Sequence, residues 1–149
     1  MDIHPDILSA VGGTPLVRLS RLHPAGNLLA KVEFVNPGGS VKDRIAASMI
    51  DEAEAGGLLR PGGTIVEATS GNTGAALAML AAVRGYHLVA VMADKQSKEK
   101  QDLLRAYGAE VVICPSDVAP DDPRSHYSTA ARMAAERGAF RPDQYANPA

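Results

Sequence analysis

The sequence predicts an α/β fold, a parallel sheet covered by helices on both faces. Three observations predict it. From Thr64 onward, apolar runs of strand length alternate with helix-length runs, separated by short loops. Glycines punctuate the helical runs at Gly56-Gly57, Gly85, Gly108 and Gly138, where a left-handed residue ends a helix. Hydrophobic residues make up 46% of 149 residues, enough to bury the core such a sheet requires. Strand, helix and strand in short succession imply right-handed crossovers and parallel pairing.

The elements follow in order. Leu16–Leu19 and Leu28–Val35 read as strands, the second alternating apolar with charged residues from Ala30, as at a half-exposed sheet edge. Ser40, with Asp43 three residues on, has the pattern of a capping box. The helix it opens carries Ile45, Ala46, Met49, Ile50 and Ala53 on one face until Gly56-Gly57. After the Pro61-Gly62-Gly63 turn, Thr64–Ala68 reads as a buried strand and Gly74–Val83 as a closely packed helix ending at Gly85. His87–Met92 is the next strand, followed by a Ser97-led helix to Gly108, the strand Glu110–Cys114, a polar loop to Pro123, and a last helix from Ser125 to Arg137.

Composition excludes several classes of function. A net charge of −2 lacks the clustered cationic excess that nucleic acid requires. A single cysteine, Cys114, rules out an internal disulfide framework, and no Cys/His spacing suits a metal. Cys114 ends an apolar strand and reads as a small buried hydrophobe. Met1 is followed by Asp2 and His4 instead of a basic, then apolar, leader, and no apolar run reaches the ~18 residues of a membrane span. The expectation is a cytoplasmic protein without nucleic-acid or membrane partners.

Two glycine-bracketed motifs carry the chemistry. Thr69-Ser70-Gly71-Asn72-Thr73-Gly74 lies between a strand and a helix, where ligands bind in open parallel sheets. Its glycines admit close backbone approach, the helix start offers N–H groups to an anion, and Thr69, Ser70 and Thr73 add hydroxyls. A capped glycine turn would need only one of these side chains. The spacing is neither Gly-x-Gly-x-x-Gly nor a P-loop, so a nucleotide site is weakly supported. In Gly38-Gly39-Ser40-Val41-Lys42-Asp43-Arg44, Lys42 stands at a helix start, where an amine can attack an aldehyde; taken alone, it reads more readily as a solvated surface lysine, and only the companion motif shifts that balance.

Together with Gly13-Thr14-Pro15-Leu16-Val17-Arg18-Leu19 and Asn36-Pro37, these motifs closely resemble the cysteine synthase and cystathionine β-synthase family of pyridoxal-phosphate enzymes, in order and over essentially the whole chain. The resemblance implies a two-domain, tryptophan-synthase-β-like fold. Residues 1–43 would belong to the larger domain and 44–149 to the smaller, mobile one, with the rest of the larger domain outside this sequence. It implies that Lys42 bonds the cofactor, pyridoxal 5′-phosphate, and later shuttles the Cα proton, and that Asn72 contacts the pyridine 3′-oxygen. Thr69, Ser70, Gly71 and Thr73 would hold the substrate α-carboxylate, joined by Gln144. Ala68 stands where the family commonly has proline, and Gly13 where Asn or Asp is frequent; neither removes a catalytic group.

The implied reaction is β-replacement on serine or an O-activated serine by a thiol or sulfide, in a homodimer. The Ala119–His126 loop and the Asp143–Pro148 segment resemble the cystathionine β-synthase branch more than the plain cysteine synthase branch. Family members are longer, and the loop that cups the cofactor phosphate has no counterpart here. The 149-residue chain alone is therefore expected to bind the cofactor poorly and to turn over little. The alternative is an inactive binding or regulatory module of the same fold, against which intact Lys42 and Asn72 argue.

Overall fold

A computed structural model describes residues 3–69 and 71–149. Its centre is a three-stranded parallel sheet made of β3 (Thr64–Ala68), β4 (His87–Ala93) and β5 (Glu110–Cys114), in that spatial order. Helices α1 (Lys42–Ala55), α2 (Asn72–Arg84), α3 (Lys98–Ala106) and α4 (His126–Arg137) surround it. Upstream lies a separate antiparallel hairpin of β1 (Leu16–Arg18) and β2 (Leu29–Lys31).

Alternation along each strand divides the core in two, because successive side chains leave opposite faces. Ile65, Leu88, Ala90 and Met92 pack with Ala46, Ile50 and Ala53 of α1, the apolar stripe of α2, and Leu104 of α3. Val66, Ala68, Val89 and Val91 pack on the other face with Ala130 and Ala134 of α4. Helices therefore cover both faces, as predicted. Cys114 is a buried member of the second cluster.

Helix α2 is buried over most of its surface, so small residues dominate it: Ala75, Ala76, Ala78 and Ala81 let it sit close to the sheet and to α1. Gly85, at φ 74, provides its left-handed cap. The Ser125 hydroxyl caps α4 by accepting the Ser128 N–H.

Three local expectations are corrected. The predicted strand over Leu28–Val35 is shorter, ending at Lys31, and Glu33–Val35 forms a 3-10 turn. Glu33 draws the chain out of extended geometry by accepting from Arg44, Thr14 and Asn36, and every residue of the two hairpin strands except Ala30 is exposed. The capping box is not made: α1 begins at Lys42, whose N–H donates to Ser40 Oγ at 3.1 Å, while Asp43 accepts the N–H of Gly38 at 2.5 Å. Helix α2 begins at Asn72, two residues ahead of the predicted Gly74, so Asn72 and Thr73 lie in its first turn.

After α4 the chain returns along the free edge of β3. Phe140 donates to the Thr64 carbonyl at 3.0 Å and accepts from Val66 at 2.9 Å, forming a parallel bridge with Ile65. This short addition to the sheet delivers Asp143–Tyr145 to the carboxyl end of β3.

Candidate active site

A cleft of about 280 Å³ opens at that carboxyl end. Lys42, Thr69, Gly71, Asn72, Thr73 and Gln144 line it, bringing together every predicted site residue except Ser70, which lies outside the described residues. Residues 30 or so apart in sequence meet because α1 and the β3–α2 turn converge there.

Two different devices hold the two sides. On the lysine side, Asp43 is 2% exposed and ties down Gly38, where any side chain would collide with its carboxylate. Burial pushes the Asp43 carboxyl above its ordinary range, opposed by the Gly38 N–H. Upstream, Asn36 Oδ1 accepts the Gly12 N–H at 2.9 Å, and Asn36 Nδ2 donates to Glu33, which also receives Arg44 at 2.8 Å and Thr14 at 2.6 Å. The loop presenting Lys42 is thus moored by polar bonds.

On the other side the β3–α2 turn is held by packing. A Cβ on Gly74 would stand 2.6 Å from Thr69 Cγ2, so only glycine permits the helix to lie against that threonine. Thr73 donates its hydroxyl to Gln144 Oε1 at 2.6 Å, and Gln144 Nε2 donates to the Ala68 carbonyl at 3.4 Å. Among the described residues, no side chain caps the N-terminus of α2 and Thr69 Oγ1 is buried without a hydrogen-bond partner. An orphaned hydroxyl beside uncapped helix N–H groups is a donor set without its acceptor, which suits a carboxylate.

Sequence reasoning missed Lys100 and Tyr145, both lining the cleft. Lys100, in the first turn of α3, reaches the loop, its Nζ standing 3.6 Å from where a Gly71 Cβ would be. The signal was available: α3 follows the carboxyl end of β4, the edge where ligands bind in open parallel sheets.

Residues 7–149 match the family model described as pyridoxal-phosphate dependent enzyme. The chain belongs to that family. Pyridoxal phosphate is the family's cofactor, and the cleft fits it in chemical kind, with two amines, Lys42 and Lys100, two amides, Asn72 and Gln144, and the threonine hydroxyls of an anion cradle facing a common space. Rat (Rattus norvegicus) cystathionine beta-synthase is 54% identical over 135 residues, covering 88% of this chain and 24% of that protein. Cysteine synthase of Staphylococcus aureus is 45% identical over 146 residues, covering 97% of this chain and 46% of that one. The crystal structure of an O-ureido-L-serine synthase superposes with a TM-score of 0.91 at 49% identity, covering 99% of this chain and 46% of that one. The tryptophan-synthase-β-like α/β fold expected from the motifs is therefore present, and this family member spans a quarter to somewhat under half the length of these relatives.

Proposed function

We propose that the cleft serves pyridoxal-phosphate-dependent β-replacement on serine or an O-activated serine, with a thiol or sulfide as nucleophile, as in cystathionine β-synthase or cysteine synthase. The observation that carries this reading is the orphaned Thr69 hydroxyl sharing one cleft with Lys42 and the Thr73–Gln144 pair. Bound pyridoxal phosphate supplies an aldehyde for amines and an electron sink that acidifies the substrate Cα. Lys42 provides the amine that anchors the cofactor and afterwards takes the Cα proton on Nζ. Asn72, able to donate and accept, orients the pyridine ring through its 3′-oxygen. Thr69, Ser70, Gly71 and Thr73, with Gln144, bind the α-carboxylate and so hold the Cα–H bond toward Lys42.

In this reading residues 1–43 pack with a larger domain and 44–149 form the smaller mobile one. The active protein in this reading is a cytoplasmic homodimer. The mostly polar mooring of residues 3–41 and the exposed Leu16, Leu29 and Phe34 among them support that division. A second reading, favoured by the close superposition on O-ureido-L-serine synthase, is replacement by an oxygen nucleophile.

The test uses the complete protein loaded with pyridoxal phosphate. It is offered serine with homocysteine, O-acetylserine with sulfide, and O-acetylserine with hydroxyurea. A sulfur amino acid from either of the first two pairs is expected, and Lys42→Ala should lower turnover by about 1,000-fold or more. Product from hydroxyurea alone would select the second reading. Undiminished turnover by Lys42→Ala would remove both.

A further inference from the structure

Glu67 is 2% exposed, on β3 two residues before Thr69, and it has no part in the chemistry above. Its carboxylate faces a turn, not the cleft. Oε2 accepts the N–H of Asp143 at 2.9 Å and Oε1 accepts the N–H of Gln144 at 3.2 Å. Asp143, at φ 51, is the one described non-glycine residue in the left-handed region, and that conformation turns two successive N–H groups toward one acceptor. The Asp143 side chain is engaged elsewhere, 3.1 Å from Arg141.

We propose that Glu67 is a positioning residue that clamps the Asp143–Gln144 backbone, holds the Gln144 amide against Thr73, and so sets affinity for the amino-acid substrate. The inference rests on the reading that this cleft takes an α-carboxylate. Consecutive residues of β3 share the work: Glu67 holds the Gln144 backbone, and the Ala68 carbonyl receives its side chain at 3.4 Å. With both fixed, Gln144 Oε1 stays 2.6 Å from the Thr73 hydroxyl. Burial pushes the Glu67 carboxyl up, and the Gln144 and Asp143 N–H groups oppose that shift. An ionised carboxylate is acceptor-only, so both N–H groups are satisfied at once. In Glu67→Gln an NH₂ group must face one of them.

The experiment compares Glu67→Gln, Gln144→Ala and the double variant in the complete, cofactor-loaded protein. Glu67→Gln should raise KM for the amino-acid substrate by about tenfold with kcat within about threefold and the cofactor's visible absorbance unchanged. Because Glu67 acts through Gln144, adding Glu67→Gln to Gln144→Ala should change KM by less than about twofold. Multiplying effects in the double variant, or a fall in kcat at constant KM, would overturn the proposal. Amide hydrogen exchange supplies a readout independent of turnover: the Asp143 and Gln144 amides should exchange about tenfold faster in Glu67→Gln while the β4 amides do not. Unchanged exchange would also overturn the clamp, whereas absent turnover in the unsubstituted protein would count against the functional reading alone. If Glu67→Gln fails to fold, Glu67→Asp, which withdraws the carboxylate by one methylene, is measured the same way.

Discussion

Residues 3–41 and the sheet body beyond Thr64 are stabilised by different physics. In the first stretch the buried residues are Thr14, Asn36 and Ser40, all polar, while Leu16, Leu22, Leu29 and Phe34 remain exposed. In the body Ile65, Val66, Leu77, Val89, Ala90, Val91 and Met92 are fully buried, and a two-sided apolar core surrounds the sheet. Hydrophobic burial is non-directional and holds the body, whereas directional hydrogen bonds hold the hairpin, and those that converge on Glu33 weaken when its carboxylate is protonated. The candidate site lies on the seam. Its lysine hangs from the polar side, and its carboxylate loop is packed into the apolar one.

The largest test of this contrast is side-chain truncation. Leu77→Ala, in the fully buried stripe of α2, should cost about 2–5 kcal/mol in denaturant unfolding through lost burial and the cavity left behind. Leu29→Ala, on the exposed hairpin, should stay within about 0.5 kcal/mol. Comparable losses at both positions would mean that the hairpin has an apolar core of its own, and the comparison would break. Gly74→Ala should come next, at about 1–3 kcal/mol, because its Cβ would stand 2.6 Å from Thr69 Cγ2 and 2.8 Å from Thr69 Oγ1, so the helix or the loop must shift. Circular-dichroism melts measure the loss. An unchanged midpoint would show that Thr69 can turn aside.

The same division governs what was legible in the sequence. Strands β3, β4 and β5 and helices α1 to α4 were readable because burial imposes periodicity, and glycine stops such as Gly85 mark where it ends. The end of the hairpin's second strand at Lys31 leaves no local pattern in the sequence, since the bonds converging on Glu33 come from residues as distant as Thr14 and Arg44. The Ser40–Asp43 pair looked like a capping box, but Asp43 turned to Gly38, a contact available only once the glycine pair folds back over it. In the site, Lys42 and the Thr69–Thr73 run were visible as motifs, and Gln144 came through resemblance. Lys100 and Tyr145 were not marked: each enters through tertiary placement, one by α3 following β4 and the other by Phe140 bridging to β3.

Acid should separate the two regions with the smallest overall effect. The Arg44 guanidinium and the Thr14 hydroxyl hold the Glu33 carboxyl down to about 2, against an ordinary 4.5. A depressed folded-state value means that Glu33 contributes stability fully above the unfolded value and loses it as pH falls from 4.5 through about 2. Glu67 and Asp43 carry the opposite sign. Burial raises both, so their contributions are fully present below the unfolded value and are lost as pH rises through the raised one. Between pH 4.5 and about 2, protection factors for the Gly12 and Asn36 amides should therefore fall while those of Val66 and Val89 hold. In Glu33→Gln the Gly12 and Asn36 protection should start lower and lose its dependence on pH over that range. Simultaneous loss in both regions would show that the hairpin and body unfold as one unit, and that the polar moorings are coupled to the core instead of standing apart from it.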